Sequence, residues 1–172
     1  KPIDYSRKVF IQPKLDGVRC LIQYEPGSRL RKECSRVIAY SRTGKEWKNI
    51  DHILKELGPF FETHPDVVLD GELYNHNLRN NFEKIISCVR KTKPTEEHRA
   101  ESKKLVQFHC YDVILERSEL AFDVRNEWIN LNVPIAISFK IVETHEIYAE
   151  KYMLDLHQIF LKKGYEGSMA RL

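Results

Sequence analysis

The segment FIQPKLDGVRC, from Phe10 to Cys20, contains the residues on which the interpretation of this chain depends. Two apolar runs are separated here by Lys14, an Asp-Gly pair and Arg19. Pro13 marks the end of the first run, and Asp-Gly between two apolar runs is a strong turn signal. One interpretation is therefore a β-hairpin with an ordinary surface lysine beside its turn. The other is that Lys14 is a catalytic nucleophile.

The length and composition of the chain indicate one globular domain. It has 172 residues, of which 42% are apolar. No apolar run approaches the roughly 18 residues of a membrane span, so we expect no membrane association. The chain begins with Lys1, and the residues that follow lack a secretory signal. We therefore expect it to be part of a longer protein.

The four cysteines occur singly, without Cys-x-x-Cys spacing. The sequence therefore indicates neither a zinc site nor a disulfide framework, and a reducing, intracellular location, cytoplasmic or nuclear, fits best. A cellular and a viral origin are equally compatible with this pattern. The seven histidines show no metal-ligand spacing and are interpreted as structural or surface residues.

Basic residues are clustered along the sequence, although the net formal charge is only +3. Such a small excess does not by itself indicate nucleic-acid binding. The clusters lie at 29–32, at Arg36, Arg42, Lys45 and Lys48, and at 90–93. For any single cluster, a solvated loop is the simplest explanation. Their meaning depends on the residues that the fold places beside them.

The pattern of apolar residues predicts an α+β fold. Seven short segments rich in β-branched and aromatic residues are predicted strands: 9–12, 18–24, 37–41, 67–74, 105–115, 137–143 and 165–172. Four segments with apolar residues at helical spacing are predicted helices: 50–57, 82–89, 124–131 and 149–163. The irregular order and the short turns between the first strands favour antiparallel sheets flanked by helices. The charged stretch 93–104 is either an exposed loop or a loosely held helix.

Two further segments carry carboxylates beside glycine, as a metal and phosphate site requires. They are VVLDGELY (67–74), with Asp70 and Glu72, and GYEGSMAR (164–171), with Glu166. Glycine allows close approach of backbone or ligand, and carboxylates hold hard cations. A lysine amine, with an ordinary pKa of about 10.4, needs nearby cations or desolvation to attack phosphorus at neutral pH. Arg19 and a divalent metal would supply that charge.

Five elements in this order resemble the motifs of the covalent nucleotidyltransferases, the superfamily of DNA ligases, RNA ligases and mRNA capping enzymes. KLDGVR (14–19) is similar to the K-x-D-G-x-R signature, in which the lysine takes up a nucleoside monophosphate. The elements that follow are SRTGK (41–45), LDGELY (69–74), FHCYDVI (108–114) and YEGSMAR (165–171). Each is weak alone, but five in family order make chance an implausible explanation. The details are most similar to ATP-dependent DNA ligases.

The resemblance implies an ATP-grasp-like nucleotidyltransferase core and a reaction in three steps. Lys14 would attack the α-phosphate of ATP in the presence of Mg²⁺, and AMP would then pass to the 5′-phosphate of a nick in duplex DNA. The 3′-hydroxyl would finally displace AMP. Such transfers depend mainly on positioning and charge neutralisation. A monomeric enzyme of DNA repair, replication or recombination is implied.

The resemblance assigns roles to three cationic residues. Lys14 would be the nucleophile and would also bind the nucleotide. Arg19 would contact phosphate or ribose, and Arg42 would hold the 5′-phosphate of the nick, because a guanidinium suits phosphate oxygens. The structural alternatives are a surface lysine beside a turn and arginines in strand-edge salt bridges.

The resemblance also assigns roles to two carboxylates and one aromatic residue. Glu72 would contact the ribose hydroxyls or a metal, and Glu166 would help to place the metal that bridges phosphates. The alternative for both is an ordinary surface carboxylate. Tyr111 would stack on the base, with core packing as its alternative. Strict alternation along the strand places Tyr111 and Val113 on the face opposite to Cys110.

Two other classes of function stay open. One is another enzyme of the superfamily, an RNA ligase or an mRNA capping guanylyltransferase, because the motifs do not specify the base. The other is a non-catalytic nucleic-acid-binding relative that keeps the fold and the basic loops. In the family, the E-G segment is followed by a lysine-bearing strand and an OB-fold domain, and neither is present in residues 1–172. We therefore expect the chain to be the adenylation domain of a longer ligase.

Overall fold

Two β-sheets meet at the loop that follows Lys14. The computed structural model describes residues 3–27, 36–116 and 119–172. In the smaller sheet, β1 (Val9–Lys14) lies between β7 (His145–Ile147) and β8 (Gly167–Arg171) and is antiparallel to both. The larger sheet has the order β3 (Arg36–Ser41), β2 (Val18–Glu25), β4 (Val68–Tyr74), β5 (Gln107–Ile114) and β6 (Phe139–Ile141).

Helices flank these sheets and close two hydrophobic cores. In chain order they are α1 (Asp51–Thr63), α2 (Phe82–Val89), α3 (Glu96–Leu105), α4 (Phe122–Asn132) and α5 (Glu150–Lys163). The main core joins the larger sheet to α1, and Ile22, Leu57 and Phe108 are buried in it. The smaller core joins α5 to β1 through Phe160 and Ile11. Within the described residues, no helix is long and apolar enough to cross a membrane.

The interpretation of the segment between β1 and β2 as a β-hairpin is wrong. The two strands belong to different sheets, and the chain passes from one to the other through a bend at Gly17. A Cβ atom at Gly17 would lie 2.5 Å from the carbonyl oxygen of Leu73, so glycine is required for the loop to approach β4 this closely. The loop after Lys14 therefore connects the two sheets.

The predicted α+β fold is confirmed, with differences at three elements and with the choice between loop and helix settled at a fourth. Strand β6 runs parallel to β5, whereas antiparallel pairing was the expectation. Strand β7 was not predicted, because three residues are too few to show alternation. Helix α1 continues past residue 57 and through Pro59, because Phe60 and Phe61 extend its buried face. The charged stretch contains a helix, α3, which begins with a capping box at Thr95.

Strand β5 carries a β-bulge that overturns the predicted alternation. Its pairing with β4 shifts between Asp70 and Gly71, and this shift leaves Tyr111 as the extra residue. Val113 is consequently buried in the core with Cys110, although strict alternation places it on the face of Tyr111. Tyr111 itself is only partly buried and lines a cleft between the two sheets.

Candidate active site

A cleft of about 370 Å³ lies where the two sheets meet. Its walls carry side chains from four of the five motifs: Lys14, Arg19, Asp70, Glu72, Tyr111 and Glu166. All of the predicted site residues except Arg42 therefore line one cleft. Their convergence follows from the fold, because β1 and β8 belong to one sheet and β2, β4 and β5 to the other.

Lys14 is paired with Glu166 across the smaller sheet. The Nζ atom of Lys14 lies 2.5 Å from Oε1 of Glu166, and each side chain is 45% exposed. The backbone N–H of Glu166 donates a hydrogen bond of 3.1 Å to the carbonyl oxygen of Lys14. Two contacts thus fix the amine at the end of β1, where it is directed towards the cleft. It remains open to solvent and to a ligand.

Arg19 is held by Asp70 on the neighbouring strand. Its Nε and Nη2 atoms donate to the two carboxylate oxygens of Asp70 at 3.0 and 2.7 Å. The Asp70 side chain is 10% exposed, whereas Arg19 is 46% exposed. This contact is the strand-edge salt bridge expected for an arginine with a structural role. It also orients the guanidinium into the cleft. A planar guanidinium fixed on one edge can still donate from the other.

Glu72 is a carboxylate in a partly desolvated position. Burial raises its pKa to about 8, with further contributions from the negative charges of Asp70 and other cleft carboxylates, while Arg19 opposes the shift. None of the described side chains donates a hydrogen bond to it. The raised pKa means that the ionised Glu72 carboxylate pays a penalty in the cleft, chiefly because burial removes its hydration. A cation or a ribose hydroxyl at Glu72 would relieve it.

Glu72 and Glu166 are also the two predicted metal ligands. Both line the cleft, and the charge of Glu166 contributes to the raised pKa of Glu72. In the described part of the chain, no three acidic, histidine or cysteine side chains lie close enough together to hold a metal ion. Mg²⁺ does not require three, because it commonly takes one or two carboxylates together with waters and substrate phosphates. The two carboxylates therefore fit Mg²⁺ that is also coordinated by a bound phosphate.

Tyr111 forms an aromatic wall that neighbouring side chains hold in place. The side chain of Gln12, which is 1% exposed, donates a hydrogen bond of 3.1 Å to the Tyr111 carbonyl oxygen. Gln12 also accepts a bond of 3.1 Å from Nε of Arg171, whose guanidinium lies 5.0 Å from the centre of the Tyr111 ring. Burial raises the pKa of the Tyr111 phenol, which therefore stays neutral. A flat, neutral ring at a cleft wall can stack on a base.

Arg42 lies outside the cleft, in a neighbouring groove of about 680 Å³ that we call the basic groove. It is presented by a tight turn in which the N–H of Gly44 donates to the carbonyl oxygen of Ser41. Arg90 and Lys91, from the end of α2, line the same groove. Two of the basic clusters of the sequence thus meet on one surface. The cluster at 29–32 lies outside the described residues.

Sequence reasoning did not single out four residues that the structure places at the cleft or groove: Gln12, Arg90, Lys91 and Arg171. Arg171 is the last residue of the motif YEGSMAR, and Gln12 lies just before the motif KLDGVR. The available signal for Gln12 was that it is a polar residue within an apolar strand. The basic run at 90–93 was visible, but nothing in the sequence brought it beside Arg42. Only the packing of α2 near the β3 turn does so.

Comparison with known proteins identifies the family of this arrangement. The family model described as ATP dependent DNA ligase domain matches residues 4–172. No curated protein sequence matches the chain. The chain does resemble solved structures. It is 23% identical to the structure named Pmar-Lig_PreS3, with a TM-score of 0.71, over 95% of this chain and 38% of that one.

Two other structures have a similar fold. The Chlorella virus DNA ligase-adenylate is 20% identical, with a TM-score of 0.64 over 95% of this chain and 53% of that chain. An archaeal ATP-dependent RNA ligase is 18% identical, with a TM-score of 0.60 over 95% of this chain and 39% of that chain. The chain thus spans between 38% and 53% of the length of these three ligases.

At such low sequence identities the solved structures support only the fold. The family model matches nearly the whole chain and therefore supports membership of the family. The matched residues, 4–172, include all five motifs and the cleft in which four of them converge. The resemblance that the sequence predicts is therefore confirmed. This chain belongs to the family of ATP-dependent DNA ligase adenylation domains.

Proposed function

We propose that this chain is the adenylation domain of a DNA ligase that seals nicks in duplex DNA, with Lys14 as its nucleophile. One observation supports this proposal above all. The amine of Lys14 lies in the same cleft as Arg19, Glu72, Tyr111 and Glu166, and that cleft adjoins a basic groove. A surface lysine beside a turn would not require this arrangement.

In the first step, the Nζ atom of Lys14 attacks the α-phosphorus of ATP. An N–P bond forms, the bond from that phosphorus to the pyrophosphate oxygen breaks, and pyrophosphate leaves. Glu166 holds Nζ in the cleft before the reaction, and the amine must give up a proton and this ion pair before it attacks. Positioning of the two reacting atoms supplies much of the acceleration in such a step.

Other cleft residues bind the nucleotide. Tyr111 stacks on the base, Glu72 accepts from the ribose hydroxyls, and the free edge of Arg19 donates to phosphate or ribose. Because Asp70 holds Arg19 by two hydrogen bonds, the guanidinium is oriented before ATP binds. When Mg²⁺ is bound at Glu72 and Glu166, it neutralises charge on the phosphates.

In the next two steps, AMP moves from Lys14 to the nick and is then released. A 5′-phosphate oxygen of the nick attacks the AMP phosphorus, and the N–P bond to Lys14 breaks. The 3′-hydroxyl then attacks the 5′-phosphate, which forms the phosphodiester and releases AMP. Arg42 holds the 5′-phosphate, and Arg90 and Lys91 bind further phosphates along the basic groove. Arg19 lines both the cleft and the groove and thus lies between the two substrates.

The test separates the proposed function from its relatives in the superfamily. The protein is incubated with radiolabelled ATP or GTP, and the labelled product is then given nicked DNA or nicked RNA duplex. We expect labelling from ATP and transfer to nicked DNA. Labelling from GTP would indicate a capping guanylyltransferase, and preferential transfer to RNA would indicate an RNA ligase. No labelling, with equal binding of nicked and intact duplex, would indicate a non-catalytic relative.

A further inference from the structure

His76 connects the two sides of the cleft and is not one of the residues that line it. It follows β4, four residues after Glu72, and begins a short 3₁₀-helix. Its Nδ1 atom lies 2.8 Å from the hydroxyl of Tyr74, and its Nε2 atom lies 3.0 Å from the carbonyl oxygen of Lys163. Tyr74 belongs to the larger sheet, and Lys163 is the last residue of α5, which packs on the smaller one.

The two hydrogen bonds fix the tautomer of the imidazole. A carbonyl oxygen only accepts, so Nε2 must carry the proton that it donates to Lys163. In the neutral ring, Nδ1 then accepts from the hydroxyl of Tyr74, a residue that is 2% exposed. The donors and acceptors form one directed chain, Tyr74 to His76 to the carbonyl oxygen of Lys163. Each member orients the next.

The carbonyl oxygen of Lys163, at the end of α5, has no hydrogen-bond donor within the helix. The last four carbonyls of a helix lack intrahelical donors, and His76 supplies one from another part of the chain. The residue that follows, Gly164, adopts φ +88 and turns the chain into β8. Arg79 lies against this turn, since a Cβ atom at Gly164 would be 2.6 Å from Nε of Arg79. The His76 ring also lies against Tyr165, with 4.5 Å between the ring centres.

Glu166 lies two residues after Gly164 and ends this turn. Its backbone N–H donates to Lys14, and its carboxylate pairs with the Lys14 amine. The end of α5 and the turn at Gly164 therefore set the place from which Glu166 reaches into the cleft. His76 attaches that place to the strand that carries Glu72.

We infer that His76, oriented by Tyr74, is a positioning residue that fixes Glu166 relative to Glu72 across the cleft. It lies outside the lining of the cleft and acts by capping α5 and supporting the turn at Gly164. The kinetic part of this inference rests on the proposed lysine adenylation. The structural part does not, because it concerns only the turn at residues 164–166.

The first experiment measures amide hydrogen exchange in the protein without ATP. His76→Phe keeps an aromatic ring against Tyr165 and removes both hydrogen bonds. We expect the amides of Tyr165 and Glu166 to exchange at least about tenfold faster, because their acceptors are the carbonyl oxygens of Phe160 near the end of α5 and of Lys14 on β1, and both bonds depend on the position of the turn. The amide of Phe108, bonded to Ser138 in the main core, should be unchanged. A uniform increase at all amides, or no increase at the turn, would overturn the inference.

The second experiment measures single-turnover adenylation of Lys14 and the affinity for ATP in the same variants. A displacement of about 1 Å at a catalytic group costs on the order of a hundredfold in rate. We expect His76→Phe to lower the adenylation rate between about tenfold and a hundredfold, with the Kd for ATP changed less than about twofold. Tyr74→Phe should lower the rate less. His76→Gln, which retains a donor towards Lys163, should recover part of it.

The control is His64→Ala. His64 also follows the end of a helix, α1, where its ring stacks on Phe60 and lies away from the cleft. It should leave the adenylation rate unchanged. If His64→Ala and His76→Phe slow adenylation equally, the effect is general stability and the inference is wrong. If wild-type protein takes up no label, the proposed function fails, and the exchange experiment still decides whether His76 fixes the turn.

Discussion

The cleft and the basic groove share a wall at Arg19 but hold their cations in opposite ways. In the cleft, Lys14 and Arg19 are each paired with a carboxylate. In the groove, Arg42, Arg90 and Lys91 make no ion pair with any residue that the structure describes. A paired side chain has a defined direction, whereas an unpaired surface cation attracts any phosphate within reach. The cleft is therefore suited to a ligand bound in one fixed orientation, and the groove is suited to a polyanion.

Apart from that at Lys14 itself, the largest effect is expected in the cleft at Glu166. Glu166→Ala removes the partner of Lys14 and one proposed metal ligand, so both the amine and the phosphate lose their fixed positions. We expect adenylation of Lys14 to fall by at least about a hundredfold. Glu101→Ala is a matched control, because this carboxylate pairs with Lys84 at the same distance of 2.5 Å outside the cleft. Equal rates in wild type and Glu166→Ala would show that the ion pair has no catalytic role.

Tyr111 tests whether the cleft wall binds the base or only packs. Tyr111→Ser should weaken ATP binding by about 1–3 kcal/mol if the ring stacks on the base, and Tyr111→Phe should have almost no effect. Isothermal titration with ATP measures both. A serine variant that melts at a much lower temperature but binds ATP normally when folded would assign Tyr111 to the core.

The groove should respond to salt in a way that the cleft does not. Arg90→Ala combined with Lys91→Ala removes two cations that contact DNA phosphates under the proposed function. We expect weaker binding of nicked duplex and a salt dependence whose log–log slope is shallower by roughly one unit for each lost contact. Lys103→Ala, on α3 outside the groove, should leave the slope unchanged. An unchanged slope in the double variant would exclude the groove from the DNA interface.

The smallest effect concerns the stability of the protein without ligand or metal. Because the pKa of Glu72 is raised from 4.5 to about 8, its protonated form is favoured in the folded state. Its contribution to stability is fully present below pH 4.5 and is lost as the pH rises through about 8. Glu72→Gln should therefore flatten the decline in melting temperature over this range. A variant that keeps the decline would show that another group causes it.

The motifs predicted residues that the structure, Arg42 apart, brings into one cleft, but not how they are paired. Lys14 and Glu166 were both predicted, yet their contact arises because β1 pairs with β8 across the length of the chain. Arg19 lies opposite Glu72 in the register of β2 and β4, but its hydrogen bonds go to Asp70. Such choices depend on side-chain directions, which a one-dimensional pattern does not contain.

The errors in the predicted fold have local physical causes. The Asp-Gly signal is the same for a hairpin and for a bend between sheets, so β1 and β2 were wrongly paired. The bulge at Tyr111 depends on the register between β4 and β5, and alternation along β5 alone does not reveal it. His76 resembled an ordinary surface histidine in the sequence, because its partner at Lys163 is 87 residues away.

The most direct test of the central claim is to locate the nucleotide after reaction with radiolabelled ATP and Mg²⁺. We predict an acid-labile, alkali-stable label on Lys14 alone, identified by peptide mapping, and no label in Lys14→Ala. Lys8→Ala serves as the matched control, because Lys8 lies just before β1 and pairs with Asp123 outside the cleft. Label on another lysine, or labelling of Lys14→Ala, would contradict the assignment of Lys14 as the nucleophile.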